Sequence, residues 1–145
     1  MTSRKGLVLD YPTVLAAFLQ QNNVLTMMEK YEDEVDFRTP AMYLERATEE
    51  LEQRLERRGG NPAKASTVLE QMSKLIVPID QELYGQFEEP ARDRLLDDEP
   101  DRWPVVAVAL AFGHAIWALD EDDPFLGCGV PVWTTGTVEI YMRRP

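Results

Sequence analysis

Two short apolar runs, each closed by an aspartate, constrain this chain more than any other feature. Leu7-Val8-Leu9 ends at Asp10, and Ala115-Ile116-Trp117-Ala118-Leu119 ends at Asp120. Apolar runs this short, without polar alternation, read as strands buried on both faces, the habit of parallel sheets. Segments with helical apolar spacing separate them, so strands and helices alternate and the helices must cover both faces of the sheet. In such sheets a ligand site lies beyond the carboxyl ends of the strands, near the point where strand order reverses. Two strand-end carboxylates are therefore candidates for one site.

The rest of the chain fills in this pattern. Val14, Leu15, Phe18 and Leu19 predict a helix starting near Tyr11 or Pro12, and a second covers Val24 to Tyr31. Val35-Asp36-Phe37 predicts a short strand. Thr39-Pro40 offers a hydroxyl cap and a first-turn proline to the next helix. That helix buries Leu44, Ala47, Leu51 and Leu55 and stops at Gly59-Gly60. Asn61-Pro62 repeats the capped start, ahead of a stripe of Ala65, Val68, Leu69 and Met72. Leu75-Ile76-Val77 is a third strand, closed by Pro78. Asp80 caps a helix carrying Leu83 and Phe87, which Pro90 breaks or kinks. Asp101 caps an apolar helix running to Phe112, Gly113 ends it, and Val130 to Thr134 forms a last strand.

The chain has 145 residues, the size of one domain, with 44% hydrophobic and 28% charged residues. Residues 1–145 are read as a single α/β domain. The apolar segments are too short to span a bilayer, and Asp10 interrupts the only greasy stretch near the start. With a single cysteine, Cys128, no internal disulfide forms, and a cytoplasmic protein with no membrane segment is the expectation. A net charge of −11 argues against broad electrostatic capture of nucleic acid. It does not exclude a nuclease, because metal sites concentrate carboxylates. The acids gather at Glu88-Glu89, at Asp97-Asp98-Glu99 with Asp101, and at Asp120-Glu121-Asp122-Asp123.

From Glu99-Pro100-Asp101-Arg102-Trp103-Pro104 through Ile116-Trp117-Ala118-Leu119-Asp120-Glu121-Asp122 to Phe125-Leu126-Gly127-Cys128-Gly129-Val130-Pro131-Val132-Trp133-Thr134-Thr135, the chain resembles PIN-domain proteins. The likeness is greatest to the bacterial relatives of VapC-type toxins. It is specific over about residues 99–137 and collinear from about residue 6. The resemblance implies a PIN-like three-layer α/β/α sandwich with a central, mainly parallel sheet. It implies a divalent-metal-dependent endoribonuclease using Mg2+ or Mn2+, often the toxin of a toxin–antitoxin pair, with RNA as substrate, an antitoxin protein as partner and often a homodimer. Asp10, Asp120 and Asp122 match the family's acids as catalytic and metal-binding residues. Glu99 and Asp101 fit its acid-rich segment, and Glu45 lies one residue from the place of its helix glutamate.

The chain departs from the family at three positions. Pro12 stands where the family has asparagine, Arg46 where it has the helix glutamate, and Arg102 where it has the acid before tryptophan. Glu45 is a weak substitute, since one step along a helix turns a side chain by about 100°. Converging carboxylates need a counter-charge: two unit charges about 4 Å apart repel by about 4 kcal/mol at an effective dielectric near 20. A metal ion offsets that, and so does an arginine. Arg102 or Arg46 pairing with Asp10 or Asp120 is the alternative to a metal. The two functional readings are thus a metal-dependent ribonuclease and a catalytically inactive binding or scaffold protein on the same fold.

The remaining candidates have plainer readings. Asp10 and Asp120 suit strand-end turns, Asp101 suits a helix cap, and Glu45 suits a solvated helix face. His114, the only histidine, reads as structural or as a surface residue. Cys128 reads as a packed thiol, with no histidine placed by sequence to activate it. Trp103, Trp117 and Trp133 read as packing residues. The sequence contains no phosphate-binding glycine loop and no zinc-ligand spacing.

Overall fold

A computed structural model describes residues 4–95, 100–120, 125 and 128–144. Five strands form one sheet: β1 (Lys5–Leu9), β2 (Val35–Pro40), β3 (Ile76–Ile79), β4 (Ala115–Ala118) and β5 (Val132–Thr134). Every pairing is parallel, in the order β3-β2-β1-β4-β5. The chain moves outward from β1 to β3, then returns to the other side of β1 for β4 and β5. Strand order therefore reverses between β1 and β4, the two strands that lead into aspartates. Leu7, Val8 and Leu9 are fully buried, as are Ile116, Trp117 and Ala118, so both central strands are covered on both faces.

Helices α1 (Tyr11–Phe18), α2 (Val24–Tyr31), α3 (Ala41–Arg57) and α4 (Lys64–Met72) pack as one group. The short α5 (Gln81–Tyr84) and α6 (Glu88–Asp93) pack with α7 (Trp103–Phe112), which lies on β1, β2 and β4. The result is a three-layer α/β/α sandwich. Helix α7 is apolar all round, and Trp103 to Ala109 are all buried, as expected of a helix enclosed by sheet and neighbouring helices. A final helix, α8 (Val138–Arg143), was not signalled by the sequence reading. Its six residues are too few to show a periodicity.

Several boundaries differ from the sequence expectation. Thr39 and Pro40 close β2, and Pro40 also takes the cap position of α3; Thr39 is not a hydroxyl cap, because its buried hydroxyl donates to the Leu9 carbonyl at 2.9 Å. Pro78 lies inside β3 and does not close it; β3 is an edge strand, where a missing N–H is tolerated. Pro90 sits in the first turn of α6, and the break comes earlier, in the 3₁₀ turn Gly85–Phe87. Asp101 does not cap α7. It lies in a 3₁₀ turn, Pro100–Arg102, that runs straight into the helix and leaves Arg102 at the cap position. Gly113 ends α7 as expected, with a left-handed φ of 67°.

Candidate functional site

The site begins with Asp10, the residue after β1. Its backbone N–H donates to the Trp117 carbonyl of β4 at 3.1 Å, and its own carbonyl accepts from Thr13 and Val14 at 3.1 Å each. It thus joins the sheet to the first turn of α1. Its φ and ψ of −70° and 162° are those of a helix cap, yet its side chain makes no cap hydrogen bond. The carboxylate points to α7: Arg102 Nη1 donates to Asp10 Oδ2 at 2.5 Å. The Asp10 side chain is 0% exposed and that of Arg102 24%. The guanidinium also lies 5.9 Å from the centre of the Phe125 ring, which is itself buried.

Two tyrosines lie near this pair, Tyr43 within its electrostatic reach and Tyr11 against Tyr43. Tyr43 of α3 is buried, and that burial pushes its hydroxyl well above the ordinary tyrosine range; the Asp10 carboxylate pushes it further, while Arg102 and Arg46 act against the shift. Tyr43 is therefore within electrostatic reach of all three groups and stays a neutral phenol. Tyr11 meets Tyr43 edge to face at 5.7 Å, and the Arg46 guanidinium lies 4.3 Å from the centre of the Tyr11 ring. Arg46 and Arg102 thus both belong to this end of the sheet. Two threonines hold the strand ends: Thr39 donates to the Leu9 carbonyl at 2.9 Å, and Thr13 to the Trp117 carbonyl at 2.8 Å.

The other sequence candidates fall in different places. Asp120 lies two residues beyond β4, at the same end of the sheet as Asp10, and is exposed. Asp101 and Glu45 are exposed, on the 3₁₀ turn and on α3. Asp122 and Glu99 lie outside the described residues. Among the described residues, no group of three His, Cys, Asp or Glu side chains could hold a metal ion. Asp10, Asp101, Asp120 and Glu45 therefore do not supply three ligands for one ion. Oδ2 of Asp10 already accepts a hydrogen bond from Arg102.

Sequence reading singled out Asp10 and Arg102 but missed Tyr11, Tyr43, Thr13 and Thr39. One signal was available: Tyr43 lies three residues before Arg46, on the same helix face. The plainer candidates keep their plain roles. Cys128 is buried, with its thiol 3.6 Å from the Val130 carbonyl. His114 packs over Gly6, and Arg38 donates to its ring. Trp117 is fully buried and donates to the Thr135 hydroxyl at 3.1 Å. No helix among the described residues is long and apolar enough to cross a membrane.

Comparison with known proteins agrees with this architecture. No curated protein matches the chain. Among solved structures, VapBC2 from Rickettsia felis, bound to a DNA fragment from its promoter, superposes with a TM-score of 0.59 at 12% identity, covering 89% of this chain and 98% of that one. At that identity the likeness is one of fold. A family model described as the PIN domain matches residues 8–143. With almost the whole chain matched, and with a parallel sheet that reverses at an aspartate-bearing strand end, this protein belongs to the PIN-domain family.

Proposed function

We propose that this chain is a PIN-fold binding protein that does not hydrolyse phosphodiesters, its acidic centre being neutralised from within. The observation that carries this reading is the 2.5 Å contact between Arg102 and the fully buried Asp10. The family's chemistry asks carboxylates to meet around Mg2+ or Mn2+. A bound divalent ion orients the phosphate, offsets developing charge and lowers the pKa of a water. A guanidinium offers charge and directed donors, but no open coordination position for that water.

The partner class in keeping with this reading is a protein chain. A net charge of −11 opposes close approach of a phosphate backbone and favours a basic partner. The R. felis relative in fold is part of a VapBC assembly, which makes an antitoxin-like chain a reasonable candidate here.

A second reading, a metal-dependent ribonuclease, has one observation in its favour. Asp10 and Asp120 follow adjacent parallel strands, at the reversal of strand order. In that reading Asp10, Asp120 and Asp122, with Glu99 or Asp101, would gather Mg2+ or Mn2+. The deciding experiment incubates the protein with single-stranded and structured RNA in Mn2+ or Mg2+, with and without chelator. No cleavage above that of the Asp10→Asn variant is expected. Chelator-sensitive cleavage that Asp10→Asn abolishes would establish the nuclease instead. Metal-dependent cleavage gained by the double variant Arg46→Glu/Arg102→Asp would show that these two arginines account for the loss.

A further inference from the structure

We infer that Arg102 is a tethered counter-cation for Asp10, taking the charge-balancing role of a metal ion, and that the fold depends on it for charge balance there. This rests on the non-hydrolytic reading but concerns stability, so the two fail separately. Asp10 is buried. Its N–H is held by the Trp117 carbonyl and its carbonyl by the first turn of α1, so its backbone is fixed on both sides. Its side chain is 0% exposed. A carboxylate in that position is costly unless a counter-charge reaches it.

The position of Arg102 suits that task. It is the last residue of the Pro100–Arg102 turn, and the next residue, Trp103, opens α7 and is only 9% exposed. The anchored helix fixes where the arginine stem starts, and the buried Phe125 ring lies 5.9 Å from the guanidinium. A guanidinium is more weakly hydrated than an ammonium, so partial burial costs it less. Being attached, it does not have to be captured from solution. Divalent ions therefore meet an oxygen already in use.

The test follows thermal unfolding of the intact protein and its variants in Mn2+, in Ca2+ and in chelator, and requires no activity. The parent is expected to show one Tm in all three. Arg102→Met, which keeps length but removes charge, is expected to lose about 5–10 °C in all three. Asp10→Asn/Arg102→Met is expected to regain stability without metal and to ignore Mn2+, since the buried charge is gone. Should Arg102→Met fail to fold in chelator, folding of the Asp10→Asn double variant under the same conditions supports the inference, and failure of both overturns it. A parent whose Tm rises with Mn2+, an Arg102→Met variant as stable as the parent, or an Asp10→Asn/Arg102→Met variant no more stable than Arg102→Met would each overturn it.

Discussion

At the scale of single residues, three groups are held by neighbours that can be named and tested. Gly6 lies under the His114 ring: a Cβ there would come within 2.0–2.2 Å of three ring atoms. Gly6→Ala is expected to cost about 1–3 kcal/mol by overpacking. Denaturant unfolding of Gly6→Ala, His114→Ala and the double variant checks this, since the double should cost less than the sum. The His114 ring is held below its ordinary pKa of 6.5, first by burial and then by the Arg38 charge, with Asp36 opposing. The fold therefore prefers the neutral ring. That contribution is complete above the unfolded pKa and declines as pH falls below it. His114→Gln is expected to flatten the loss of stability just below pH 6.5, read from urea midpoints across that range. Glu139 shows the opposite case. Hydrogen bonds from Lys30 and Tyr31 lower its pKa from 4.5 to about 2. Its contribution is present above 4.5 and is lost as pH falls through about 2, a window readable by carboxyl NMR titration and narrowed by added salt.

At the scale of elements, the ends of β1 and β4 are finished by side chains from outside those strands. The Thr39 and Thr13 hydroxyls reach the last carbonyls of β1 and the third residue of β4. Thr39→Val keeps shape and burial but removes the donor, and is expected to cost about 1 kcal/mol, measured by chemical denaturation. Helix α8 shows why some elements escape a sequence reading. Its buried residues, Val138 and Met142, are four apart, and what holds it is contributed by distant segments. Glu139 bonds Lys30 and Tyr31 of α2, and Tyr141 stacks on Trp133 of β5. The same reason moved Thr39 from a predicted cap into β2: its partner, Leu9, is thirty positions away and invisible to local capping rules. Pro78 looks like a strand terminator in the sequence, since only the sheet order reveals β3 as an edge.

At the scale of the whole molecule, the parallel sheet and its reversal between β1 and β4 bring two strand-end aspartates to one end of the domain. The charge of −11 acts over that same scale. Fluorescence anisotropy with labelled single-stranded RNA at about 0.15 M salt, where screening extends about 8 Å, is expected to show no saturable binding. Binding that weakens steeply with salt would identify a basic stripe that the overall charge conceals. The local pattern of apolar runs, prolines and glycines was sufficient for the α/β class, for the parallel sheet and for Asp10 as the residue to examine, because burial on both faces and chain punctuation are written in neighbouring positions. Arg102, too, stood out in the sequence as a cation at an acid's place. That it, and not Arg46, meets Asp10 was decided only in three dimensions. Ninety-two positions separate the two partners, and only the packing of α7 against β1 brings them together. Arg46 is drawn instead to the ring of Tyr11.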